Sequence, residues 1–143
     1  LDRGTISVDE AAQLMSEEGS LDRAKVLKLL NTFAEFMPEM PAASLISSLK
    51  EQGKKLYLLS NFQEKAFEQV RHRHEFFKKV DGWVVSSHVK INKPDFGIYK
   101  CLIDRFELNP KNCCFIDDTL ENVEAALRMG FETIHYENFN SLL

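Results

Sequence analysis

Apolar and polar positions recur at two different periods along the 143-residue chain. Over "LDRAKVLKLLNTFAEFM" the apolar residues Val26, Leu29, Leu30, Phe33 and Met37 return at three- and four-residue steps, which gathers them on one stripe of a helix. Ahead of it, "TISVDEAAQLMSEEG" places Ser7 three residues before Glu10, the capping-box spacing. This predicts a helix from about Val8 to Glu18, stopped by Gly19. The segment "MPEMP", with Pro38 and Pro41, then interrupts regular structure. Residues 1–38 therefore read as a small all-helical unit followed by a stiff linker.

From Ala42 the pattern changes. "AASLISSLKEQG" predicts a helix ended by Gly53, and "KLYLLS" a short buried strand after it. "QEKAFEQVRHRHEFF" returns to helix and "GWVVSS" to strand. "PDFGIYKCLIDRF" predicts a helix starting at Pro94, a residue favoured in a first turn, and "CCFID" a strand. "TLENVEAALRMG" is helix ended by Gly130, and "ETIHY" a last strand. Strands alternating with helices of this length require crossover connections. Residues 39–143 thus predict an α/β fold, a doubly wound parallel sheet covered on both faces.

Composition narrows the function classes. With 18 basic and 22 acidic side chains the formal net charge is −4, so the chain lacks the basic excess that a nucleic-acid backbone demands. Its densest basic stretch, "RHRHEFFKK", reads as a solvated helix face followed by a turn. Cys101, Cys113 and Cys114 read as buried thiols in a reducing compartment, and no CxxC spacing suggests zinc. The four histidines are scattered, and each reads as a surface or structural residue. No apolar run reaches membrane-span length, and "LDRGTISVDE" has no signal-peptide character. A cytoplasmic protein without membrane or nucleic-acid partners is the expectation.

In an open parallel sheet, ligands bind beyond the carboxyl ends of the strands. The polar residues there are Ser60 and Asn61 after "KLYLL", Lys93 after "GWVVSS", and Asp117 with Asp118 after "CCFI". Singly, each has a structural reading: Ser60 as a helix cap, Lys93 as a solvated loop residue, the aspartates as helix-start residues. Together, a hydroxyl, backbone N–H groups and an ammonium form a cradle for a dianionic phosphate. Adjacent carboxylates beside that cradle would repel phosphate unless a cation lay between them, and Mg2+ suits such oxygen donors.

"LYLLSN", "KPDFGIY" and "FIDDTLENVEAA" resemble, in order, the second, third and fourth motifs of the haloacid dehalogenase (HAD) superfamily. The N-terminal helical pair, with its "LDRGTIS" opening, resembles the cap of the sugar-phosphate and nucleotide phosphatase branch. The resemblance implies that Ser60 hydrogen-bonds the transferring phosphoryl group, that Asn61 positions phosphate or substrate, and that Lys93 neutralises nucleophile and phosphate. It further implies Asp118 as a direct Mg2+ ligand, Asp117 as a second ligand or an orienter of metal-bound water and Lys93, and Asn122 as support for the metal shell.

One departure from the family is plain. The first motif, a strand ending in Asp-x-Asp that supplies nucleophile and acid/base, is not among these residues; Asp2 and Asp9 belong to the helical unit. In the family that strand is central, between those ending at Ser60 and Asp117. The expectation is an N-terminally truncated chain of a Mg2+-dependent phosphatase acting on a small phosphorylated metabolite through an aspartyl-phosphate intermediate. The alternatives are a non-catalytic phosphate- or partner-binding domain and a haloacid dehalogenase. The latter typically carries Ser-Ser-Asn where this chain has "IDDT".

Overall fold

A computed structural model describes residues 1–37 and 44–137. The expected Pro38–Pro41 linker and the start of the helix expected from Ala42 lie outside the described residues.

Helix α1 (Val8–Gly19) begins with the capping box that the sequence announced. The Glu10 N–H donates to Ser7 Oγ at 3.1 Å, and the Ser7 N–H donates to Glu10 Oε2 at 2.7 Å. Gly19 is the last helical residue rather than the stop; the left-handed position is Ser20, at φ 50°. Helix α2 (Arg23–Thr32) is capped by Asp22, whose carboxylate accepts from the Lys25 N–H at 2.9 Å. The periodicity predicted one helix through Met37, but the chain tightens into a 3₁₀ turn at Phe33–Phe36. Asn31 Nδ2 and Thr32 Oγ1 bond back to the carbonyls of Leu27 and Lys28, a local competition that bends helices.

Helix α3 (Ser44–Glu51) leads through Gly53, left-handed at φ 74°, into β1 (Tyr57–Ser60). The Lys54 N–H bonds the Leu49 carbonyl at 3.0 Å, closing a Schellman-type turn that a side chain at Gly53 would strain. Helix α4 (Glu64–Arg73) ends short of "HEFF", which forms a second 3₁₀ turn at Glu75–Lys78. Strand β2 (Gly82–Val85) stops before Ser86, contrary to the expected "GWVVSS" strand. Ser86 opens a one-turn helix, α5 (Ser86–Val89), because its side chain makes other bonds. Its Oγ accepts from the Phe62 N–H at 3.0 Å and donates to the Asp2 carbonyl.

Helix α6 (Phe96–Phe106) starts after Pro94, not at it. Asp95 is the cap, accepting from the Gly97 N–H at 2.8 Å. Strand β3 (Cys114–Asp117), α7 (Leu120–Arg128) and β4 (Glu132–His135) follow as expected.

The strands are parallel but fall into two pairs. β1 lies on β2, with Tyr57 opposite Gly82 and Ser60 opposite Val85; β3 lies on β4, with Cys114 opposite Glu132 and Asp117 opposite His135. Side-chain alternation gives β1–β2 two buried faces. Tyr57, Leu59 and Val84 pack toward Ile98, Tyr99 and Leu102 of α6, while Leu58, Trp83 and Val85 pack toward Phe67 and Phe77. Burying each of Val84, Val85 and Ile98, all at 0% exposure, stabilises the fold by roughly 1.5–3 kcal/mol. Tyr99 of α6 also meets Phe115 of β3, ring centroids 5.5 Å apart, so α6 lies under both pairs.

Strand β3 is covered on one face only: Phe115 and Asp117 are buried, while Cys114 and Ile116 are exposed. The expectation of three buried thiols fails here. Cys114 is exposed, and Cys101 and Cys113 are half-buried against the α6 core. Among the described residues no helix is long and apolar enough to cross a membrane.

Contacts between α4 and the helical pair fix the latter beside the strand ends. Lys65 Nζ donates to Asn31 Oδ1 at 2.5 Å, Gln63 Nε2 donates to the Leu30 carbonyl at 3.3 Å, and the Arg73 guanidinium donates to the Glu35 and Met37 carbonyls. The Phe33 ring lies 6.2 Å from that of Phe62.

Candidate active site

Strands β1 and β3 deliver Ser60 and Asp117 as their last residues, and Asn61 and Asp118 follow directly. Lys93 comes from the loop between α5 and α6. The structure joins four of the six expected site residues in one hydrogen-bonded chain. Asn61 Nδ2 donates to the Lys93 carbonyl at 3.0 Å, and the Lys93 N–H donates to Asn61 Oδ1 at 2.8 Å. Lys93 Nζ donates to Asp117 Oδ2 at 2.5 Å. Asn122 Nδ2, one turn into α7, donates to Asp117 Oδ1 at 2.8 Å.

The Lys93–Asp117 ion pair is buried, with side-chain exposures of 10% and 6%. Withdrawing both charges from water is costly, and attraction offsets that cost only where the remaining lone pairs are also satisfied. They are satisfied here: Asp117 Oδ1 accepts from the Thr119 N–H at 3.0 Å as well as from Asn122. The ammonium also lies 5.7 Å from the centre of the Phe115 ring, close enough for a cation–π contact.

The other two residues are uncommitted. Ser60 Oγ and the Asp118 carboxylate make no hydrogen bond among the described residues, and Asp118 is exposed. His135 at the end of β4 reaches the Asp118 main chain, Nε2 lying 3.0 Å from its carbonyl oxygen.

Three supporting residues escaped the sequence reading. Thr119 sits two residues after Asp117, the spacing of an Asx turn, and Phe115 shares a strand face with Asp117; both were readable from spacing. Tyr99 was not. Its hydroxyl donates to the Asn122 carbonyl at 2.9 Å from inside the core, and burial, then the nearby Asp117 charge, push its phenol well above the usual range.

No cluster of three His, Cys, Asp or Glu side chains able to hold a metal occurs among the described residues. The donors present nevertheless fit Mg2+, a hard ion that often takes one or two carboxylates and completes its shell with water and phosphate oxygens. Asp118 has its carboxylate free for this, whereas both Asp117 oxygens are taken, by Lys93 on one and by Thr119 and Asn122 on the other.

A family model described as haloacid dehalogenase-like hydrolase matches residues 7–130. The chain belongs to that family. It is 27% identical over 135 residues to the sesquiterpene phosphatase astK of Aspergillus oryzae, covering 94% of this chain and 69% of the relative. It is also 27% identical over 128 residues to (S)-2-haloacid dehalogenase 4A of Burkholderia cepacia, covering 88% of this chain and 55% of that protein. The chain thus spans about half of the HAD dehalogenase and about two thirds of the HAD phosphatase. Among solved structures, an HAD family enzyme of Bacteroides thetaiotaomicron in complex with magnesium and inorganic phosphate superposes with a TM-score of 0.78. That match has 23% identity and covers 99% of this chain and 76% of the other, a likeness of fold.

Proposed function

We propose that this HAD chain forms the larger part of a Mg2+-dependent phosphatase that hydrolyses a small phosphorylated metabolite through an aspartyl-phosphate intermediate. One observation carries the reading: beside the buried Lys93–Asp117 pair, a hydroxyl (Ser60) and a carboxylate (Asp118) stand uncommitted at the strand ends. Lys93 would stabilise charge on the transferring phosphoryl group, and Ser60 would donate a hydrogen bond to it. Asp118 would hold Mg2+, which offsets the mutual repulsion of phosphate and carboxylates, while Asp117 would orient Lys93.

The nucleophile would come from a strand ahead of Leu1 ending in Asp-x-Asp. β1 pairs only with β2 and β3 only with β4 among the described residues, and Ile116 on β3 is 44% exposed. Both features support a place for that strand between β1 and β3. Its first carboxylate would attack phosphorus as the bond to the leaving oxygen breaks, and its second would protonate that oxygen. Water, deprotonated by the second carboxylate, would then cleave the acyl phosphate and release phosphate. The organic part of the substrate would meet the junction where Phe33 faces Phe62.

Adjacent carboxylates favour this cation-dependent reading over dehalogenation. The test is phosphate release from an aryl phosphate by the full-length protein, with Mg2+ and after chelation. Turnover that vanishes with chelation and returns with Mg2+ supports the proposal. Halide release from a 2-haloacid without metal, or phosphate binding without turnover, would replace it.

A further inference from the structure

Both polar atoms of the Asn61 amide bond to one residue. Its Nδ2 donates to the Lys93 carbonyl and its Oδ1 accepts from the Lys93 N–H, at 3.0 and 2.8 Å. The paired bonds imitate one rung of a strand ladder, built from a side chain instead of a second backbone. Lys93 belongs to no helix or strand, and no other backbone bond satisfies its N–H or carbonyl among the described residues. At its far end the ammonium is held by Asp117 Oδ2 at 2.5 Å. The residue is therefore fixed twice, at the root by Asn61 from the β1 side and at the head by Asp117 from β3.

We infer that Asn61 is a positioning residue for Lys93. A lysine stem has four rotatable bonds and up to about 2 kcal/mol of rotamer entropy to lose. Fixing its backbone reduces what remains to be ordered when the ammonium meets a developing negative charge. Turning this amide toward a ligand would leave the Lys93 N–H and carbonyl without partners, which holds its orientation while one Nδ2 hydrogen stays unengaged. Asn61 thus differs from its neighbour Ser60, whose hydroxyl has no hydrogen bond among the described residues.

The inference rests on the phosphatase reading for its kinetic consequence and on geometry alone for its structural one, so two measurements on the full-length protein separate them. The first is competitive acetylation of lysines, read by mass spectrometry. Asn61→Ala, which removes both bonds, should raise labelling of Lys93 about tenfold or more, while exposed Lys111 is unchanged. Asn61→Asp, which retains only the acceptor, should fall between. Unchanged Lys93 labelling in both variants would overturn the inference, whether or not the protein hydrolyses phosphate esters. The second is kinetic: kcat for an aryl phosphate should fall while KM stays within about twofold. A raised KM at constant kcat would make Asn61 a substrate ligand and sink the positioning role. Should Asn61→Ala fail to fold, Asn61→Ser serves for both measurements.

Discussion

Asp117 and Asp118 are consecutive in the chain and opposite in environment. Asp117 is 8% exposed, with Lys93 on one carboxylate oxygen and Thr119 and Asn122 on the other. Asp118 is exposed, and its carboxylate has no hydrogen bond among the described residues. The end of β3 makes the difference: Asp117 is its last residue, on the buried face it shares with Phe115, and Asp118 is the first residue beyond it.

The two aspartates should separate stability from activity. Asp117→Ala strands the Lys93 ammonium in a buried site and should cost about 3–5 kcal/mol. Asp118→Ala should change stability by no more than about 0.5 kcal/mol, as for an exposed side chain without partners. Urea unfolding of both variants measures this, and similar losses in the two would show the asymmetry to be wrong. In the full-length enzyme, Asp118→Ala should abolish the response of phosphate release to Mg2+.

Gly82 lies where β2 passes under a ring. A Cβ at this position would come within 2.4 Å of the Phe106 ring, which itself packs on Tyr57 at a centroid distance of 4.7 Å. Gly82→Ala should therefore destabilise by about 1–3 kcal/mol, and adding Phe106→Leu should recover part of the loss. Thermal unfolding of the single and double variants decides it; strictly additive losses would mean the clash is relieved by other means.

Asp81 ties α3 to the start of β2. Its carboxylate accepts from Lys50 Nζ at 2.8 Å and from the Leu56 N–H at 2.7 Å. The Lys50 hydrogen bond first, then that of Leu56, hold its carboxyl below the ordinary range. A depressed folded value adds stability above the unfolded value of about 3.9, and this is lost as pH falls through the folded one. Asp81→Asn should cost about 1 kcal/mol at neutral pH and flatten the acid limb of the stability curve. An unaltered acid limb in the variant would count against the linkage.

Tyr99 carries the opposite sign. Its raised folded value favours the neutral phenol, so its contribution is complete below the unfolded value of about 10 and declines as pH rises above it. In an alkaline titration, the phenolate absorbance that distinguishes wild type from Tyr99→Phe should appear only as the protein unfolds. Its appearance before unfolding would show the hydroxyl to be accessible.

What could be read from the chain depended on how far away each partner lay. The Ser7–Glu10 capping box spans three residues and was readable, as were the short strand in "KLYLLS" and the stop at Gly130. The end of β2 was misread because Ser86 is drawn off by Phe62, 24 residues away, and by Asp2, 84 residues away. Pro94 was misread because Asp95 caps α6 instead. For the candidate site, positions at the strand ends were readable and hydrogen-bond partners were not. Nothing local indicates that Asn61 closes on a backbone 32 residues later, or that Tyr99 reaches Asn122 from the core.

The division of the strands into two pairs has a mechanical consequence. Asn61 directly follows one pair, Asp117 ends a strand of the other, and Lys93 is fastened to both, so these bonds run across the seam of the molecule. A strain that draws the halves apart would cut this strap while each half kept its own ladder. The shape of Lys93 is thus a gauge of how tightly the two halves are shut.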